Sequence, residues 1–204
     1  MKPYEFNRIK YLTFDLVNVY HSVNDKSTQE AVFAQVEAEI LSLSNGSEVQ
    51  EFLSNLTHPK ITTEQAEKLL SNLKNLVEPF ELPKLETTKK IFKKVKKLQF
   101  PSVENWDFRD ISYFAWNEVA SQRKYILLEN QGFYGQMYGH KKNICAICQK
   151  TSEVTQFRAI TRQKADGTYT SRGNWICIDS EQCNRQMQQI YGLTKFVEQI
   201  KEQK

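Results

Sequence analysis

Hydrophobic positions in the first 80 residues recur at helical spacing. Phe6, Ile9, Leu12, Leu16 and Val19 mark one apolar stripe, which predicts a helix over residues 4–22. In "NDKSTQEAVFAQVEAEIL", Ser27 and Glu30 stand as a capping box before Ala31, Val32, Val36 and Ile40, so a second helix starts there. "SNGSE" reads as a turn, residues 48–56 as a short helix, and His58-Pro59 as an interruption. Thr62 and Gln65 form a second capping box ahead of Ala66, Leu69, Leu70, Leu73, Leu76 and Val77. The pattern predicts a helical bundle over residues 1–80, with one glycine and no cysteine.

The texture then changes. The two prolines of "PFELPKL" break helix on both sides and place a domain boundary there. "LETTKKIFKKVKKLQFP" predicts one more helix, strongly basic over 89–97, with Ile91, Val95 and Leu98 as its apolar stripe. From residue 110 onward aromatic and β-branched residues accumulate. "FAWNEVAS" reads as helical or irregular, followed by strands at 124–129 and 132–138 around "ENQG". "VTQFRAITRQKADGTYTSRGNWIC" alternates on both sides of "ADGT", a β-hairpin signal, and the last segment reads as helical with a break at Gly192. The fold class is therefore α+β: a helical bundle over 1–80 and a mixed α/β domain over 81–204.

All four cysteines fall in the second part, as Cys145-x2-Cys148 and Cys177-x5-Cys183. The chain has no run of about 18 apolar residues and no signal-peptide core, which predicts a cytoplasmic protein with no membrane contact. In a reducing compartment, clustered cysteines serve metal binding more often than disulfides. Cys145, Cys148, Cys177 and Cys183 supply four soft ligands for one structural Zn2+. A tight turn, a hairpin and then a helix give the order of a treble-clef-like zinc finger over about 140–204. The competing readings are buried or redox cysteines, and His140 as a further ligand. "CAICQKTSE" does not read as the helix start that a thioredoxin-like redox pair needs.

The blocks "VEPFELP", "KIFKKVKKLQFP", "WNEVASQRKYI", "GFYGQMYG", "CAICQKTSEVTQF" and "DGTYTSRGNWICIDSEQCNRQ" resemble the elongation factor G-binding proteins, which include the fusidic acid resistance proteins. The resemblance is densest from residue 79 to 196 and loosest in the first 60. It implies a monomeric, non-enzymatic protein with a helical bundle and a zinc-bearing C-terminal domain. It further implies binding to elongation factor G and help in freeing that factor from a ribosome stalled by fusidic acid, with at most a transient ribosome contact. Position by position, the implied partner contacts are Ile144, Arg172, Trp175 and Phe196. Aromatic and arginine side chains suit such a role, because they dominate interface hot spots. Trp175 and Phe196 also have a plain reading as core residues, and Arg172 as solvated charge.

Two other classes are weighed. The formal charge of +4 is mild, but the basic segment 89–97 offers an rRNA- or ribosome-binding alternative. Enzymatic chemistry finds little support: there is no Gly-rich phosphate loop and no nucleophile near a His–acid pair. Asn117, Glu118 and Arg123 are read as structural hydrogen bonders.

Overall fold

The structure is a computed structural model and describes residues 1–159 and 173–201. The chain divides into two compact units, Met1–Glu78 and Pro79–Lys204.

The first unit is built from four helices: α1 (Pro3–Ser22), α2 (Lys26–Leu43), α3 (Ser47–Leu56) and α4 (Thr63–Leu73). Three of them start for a visible local reason. Pro3 opens α1 with a fixed φ, and Glu5 accepts the Lys2 amide at 2.7 Å. Asp25 caps α2 by accepting the Thr28 amide at 2.8 Å, so the start lies two residues before the expected Ser27. Ser27 instead donates its hydroxyl to Asp25 at 2.7 Å. Thr62 and Gln65 form the expected reciprocal box at α4, at 3.2 and 2.9 Å. The helices bury one shared core, centred on Ile9, Leu16, Ile40, Val49, Leu56 and Leu70.

The second unit is organised by a five-stranded antiparallel meander in the order β1-β2-β3-β4-β5. Its strands are β1 (Phe114–Glu118), β2 (Arg123–Leu128), β3 (Gln131–Ile144), β4 (Thr151–Ala159) and β5 (Gly173–Cys177). "FAWNE" is thus a strand and not helical, because Phe114, Ala115 and Trp116 are all buried against neighbours on the sheet. β3 runs past the expected end at 138 because it serves two partners, β2 through its first half and β4 through its second. A register shift between Tyr138 and Lys141 falls beside Gly139, whose φ of +62° suits a residue without a side chain. The "ADGT" turn lies outside the described residues, while β4 and β5 on either side pair antiparallel as a hairpin requires.

Trp116, Tyr125 and Tyr134 are cross-strand neighbours on β1, β2 and β3 and form one row on one face. Tyr125 stacks on Trp116 at 5.0 Å and on Tyr134 at 5.9 Å. Phe92 sets its edge against all three, at 5.7, 5.5 and 6.3 Å. This explains why the basic segment is not one helix. The helix α5 (Leu85–Ile91) stops where Phe92 turns into the cluster, and Val95, Leu98 and Phe100 then follow the sheet surface. Lys93, Lys94, Lys96 and Lys97 are left on the solvent side. The C-terminal segment likewise forms two helices, α6 (Ser180–Gln186) and α7 (Tyr191–Lys201), with the break before Gly192.

Two outcomes are expected. Phe92→Ala removes the contact shared by the three-ring row and costs about 3–5 kcal/mol of stability in urea unfolding. The Asp25 carboxyl is held down at about 2, chiefly by the hydrogen bonds from Thr28 and Ser27. Its folded pKa lies below the unfolded one, so its contribution is present above about pH 4 and is lost as pH falls towards 2. The melting temperature of Asp25→Ala should therefore lie below wild type at pH 7, and the gap should narrow as pH falls below about 4 and through about 2.

Candidate metal centre

The cysteine sulfurs are brought together by three separate pieces of chain. β3 ends at Ile144 and passes into a turn in which the Cys145 amide donates to the Lys150 carbonyl at 3.0 Å. The Gln149 amide returns to the Cys145 carbonyl at 3.0 Å, and Gln149 takes a left-handed φ of 59° that closes the knuckle. Gly192 packs against this turn so closely that a Cβ there would sit 2.2 Å from the Ile147 carbonyl oxygen. β5 reaches the knuckle through the Ala146 amide, which donates to the Trp175 carbonyl at 2.8 Å. Asp179 caps α6 by accepting the Glu181 and Gln182 amides at 2.8 and 3.0 Å, which sets Cys183 on the first turn of the helix.

The result is a buried cluster in which the sulfurs of Cys145, Cys148, Cys177 and Cys183 all lie within 4.8 Å of one another. Cys145 and Cys183 are 3.8 Å apart, and Cys148 and Cys177 are 3.7 Å apart. Tetrahedral thiolates bonded at about 2.3 Å to one ion would sit ~3.8 Å apart, so the set could hold a metal ion. A disulfide is not what this spacing describes, since bonded sulfurs lie about 2 Å apart.

The surroundings suit anionic sulfur. The amides of Ile147 and Cys177 each donate to the Cys145 sulfur at 3.3 Å. The Gln186 side-chain amide donates to Cys148 at 3.1 Å and to Cys177 at 3.6 Å. A thiol sulfur is a weak acceptor, so a convergence of N–H groups favours thiolates. Hydrogen bonds among the cysteines pull the Cys145 thiol down and push Cys177 and Cys183 up. Four thiolates at this spacing repel one another, and a divalent ion at their centre removes that conflict.

The other predicted residues separate. Ile144 is exposed at the last position of β3, beside Cys145. Trp175 is half-buried on β5, with the Lys141 ammonium 4.0 Å above its ring. Arg172 lies outside the described residues. Phe196 must be corrected: it is 1% exposed and packs against Phe157 at 5.7 Å, so α7 uses it to seat itself on the sheet. A ring closed off in this way has no surface to offer a partner. His140 is not one of the clustered groups and pairs with Glu153 at 2.7 Å. Asn117 bonds the Ile178 carbonyl at 3.0 Å, and Glu118 accepts from Ser121 and Tyr125, so both act as structural hydrogen bonders.

Two features escaped the sequence reading. Gln186 stands three residues after Cys183, on the same helix face, which is the signal that could have found it. Tyr138, Gln156 and Trp175 are cross-strand neighbours on β3, β4 and β5, and Arg158 lies 4.8 Å over the Tyr138 ring. That row became visible only once the strands were in register.

The comparisons with known proteins agree with this architecture. Residues 1–81 match the family model described as the N-terminal part of the elongation factor G-binding protein. Over the whole chain, the structure is similar to a solved structure of the fusidic acid resistance protein FusC. The TM-score is 0.89 at 32% identity, covering 97% of this chain and 95% of that one. Comparison with curated proteins gives no match. The chain belongs to the elongation factor G-binding family, to which the fusidic acid resistance proteins also belong. The family model matches the bundle, where the sequence resemblance is loosest. Among the described residues no helix is long and apolar enough to cross a membrane.

A strong chelator should abolish the near-ultraviolet signal of the second unit while the far-ultraviolet helical signal of the bundle persists. Gln186→Ala should speed loss of the ion by ~10-fold, read as transfer to a chromogenic chelator, because outer-shell donors typically carry that much of metal affinity.

Proposed function

We propose that this chain binds elongation factor G and promotes its release from the ribosome, protecting translation from stalling by fusidic acid. The observation that carries the reading is end-to-end similarity to a fusidic acid resistance protein, covering 97% of this chain at 32% identity. The protein acts by binding and performs no reaction. It works as a monomer in the cytoplasm.

The ion is zinc, held by Cys145, Cys148, Cys177 and Cys183. It cross-links the knuckle, β5 and α6, and a site filled by four protein ligands has no position left for substrate. The contact surface is the part of the second unit beside this centre, with Ile144 and Trp175 as its apolar anchors. Tyr138, Lys141 and Arg158 extend it. The strand face that carries Tyr138, Gln156 and Trp175 also carries Lys141, Arg158 and Arg123, while Glu118 at its far edge is engaged by Ser121 and Tyr125. That charge suits an acidic surface on the partner. The cations already cover the ring faces, at 4.0 and 4.8 Å, which leaves little room for a stacked base and favours a protein partner over RNA. The basic run over 89–97 adds nothing to an RNA reading, since its apolar residues follow the sheet and its lysines are dispersed in solvent.

Release follows from differential affinity. A protein that binds the factor more tightly off the stalled ribosome, or in an altered state on it, draws the equilibrium towards release, whereas equal affinity for both would shift nothing.

The test is calorimetric titration of the purified chain with its host's elongation factor G. Trp175→Ala, with zinc content and circular dichroism unchanged, should weaken binding by about 2 kcal/mol or more, ~30-fold. Phe196→Leu, which keeps the packing volume on Phe157, should bind as wild type. Wild-type affinity in a folded Trp175→Ala protein would remove this face from the interface. No binding by the wild-type chain would remove the function.

A further inference from the structure

Of the 28 lysines and arginines in the chain, one is buried among the described residues, and it lies beside the cysteine cluster. Lys124 on β2 is 0% exposed. Its ammonium donates to the Ile178 carbonyl at 2.9 Å and to the Asn117 side-chain oxygen at 3.0 Å. Both acceptors are neutral, and among the described residues no carboxylate forms an ion pair with it. Ile178 follows Cys177 directly, and Asn117 is the cross-strand partner of Lys124 on β1. Asn117 also donates to the same Ile178 carbonyl, at 3.0 Å. β1 and β2 thus grip the chain immediately after the third cysteine.

A lone buried cation is costly unless an opposite charge lies near. Burial pulls the Lys124 ammonium down to about 8, and the groups that act against this are Cys183, Cys177, Asp179 and Cys145. A divalent ion bonded to four thiolates carries a surplus of two negative charges in a buried place. The amides of Ile147, Cys177 and Gln186 meet that surplus with dipoles. Among the described residues Lys124 is the one buried side chain that brings a full positive charge.

We propose that Lys124 is the counter-charge of the metal centre, a positioning residue whose buried ammonium offsets the surplus negative charge of the four-cysteine site and slows loss of its ion. The two unusual groups explain each other: the thiolate site makes the buried lysine affordable, and the lysine makes the buried anion retentive. The inference rests on the zinc reading above.

The experiment uses the full chain and reads zinc itself. Metal content is measured on freshly purified protein, and release is then followed by transfer of zinc to a chromogenic chelator at fixed pH. Lys124→Met keeps the stem volume and removes the charge, whereas Lys124→Arg keeps the charge. Zinc release from Lys124→Met should be at least ~10-fold faster than wild type, the scale of an outer-shell partner. Lys124→Arg should restore retention to within ~3-fold of wild type, far closer than the neutral variant. If Lys124→Met does not fold, Lys124→Gln takes its place, since it keeps an N–H donor without the charge. Wild-type release from a folded, zinc-loaded neutral variant would overturn the proposal. So would equally fast release from Lys124→Arg and the neutral variant, because position and not charge would then be what matters. Absence of zinc from the wild-type protein is a separate failure, which would remove the metal reading and this inference together.

Discussion

Sulfurs within 4.8 Å of one another, drawn from the end of β3, the end of β5 and the first turn of α6, are the constraint on which the second unit is arranged. None of these pieces could hold that geometry alone. α6 has seven residues, and helices shorter than about twelve are marginal in water by themselves. The knuckle is a turn around Gln149 at positive φ. β5 is five residues long and pairs along one edge with β4. A metal bonded to all four cysteines would tie the three together, and such a site contributes folding free energy directly.

The sheet divides its work between faces. The row Trp116–Tyr125–Tyr134 lies under Phe92 and the segment that follows it, and it supplies an apolar core. Further along the same face, Tyr138 on β3 and Trp175 on β5 stand partly in solvent beneath cations. On the opposite face, Phe157 seats α7 through Phe196, and Lys124 anchors the backbone after Cys177. β3 makes this possible because it spans 14 residues and takes part in both halves. Its register shift beside Gly139 lies between the Tyr138 row and the strand end that leads into Cys145.

Gln186 and Lys124, two polar groups near the cysteine cluster, are of different kinds. Gln186 lends hydrogen bonds to two sulfurs from outside the ligand set. Lys124 is placed to lend charge from the sheet side, through its bonds to Ile178 and Asn117. Dipoles orient thiolates, whereas a full charge would offset the surplus that a bound divalent ion would leave. A four-cysteine site buried to 2% exposure or less has little water to perform either task.

What the sequence determined by itself was local. Helical periodicity placed the stripes of α1 and α4, and the Thr62–Gln65 pair marked the start of α4, because these signals depend on neighbours within one turn. The cysteine spacing pointed to a four-ligand site, because two cysteine pairs on either side of a hairpin can converge on one ion. The family resemblance carried the same information at longer range. Tertiary structure decided the rest. "FAWNE" became a strand because its side chains found partners on β2 and under Phe92, which no local propensity encodes. The basic segment ended as a helix at Ile91 because Phe92 gained more by entering the aromatic row than by continuing the helical stripe. Phe196 moved from surface to interior because α7 needed a large apolar residue to seat on Phe157. Lys124 gave no sign in the sequence: in "QRKYILL" it is one more charged residue before an apolar run. Only the pairing of β2 with β1, and the chain crossing beyond Cys177, put its ammonium on the Ile178 carbonyl next to the cysteine cluster.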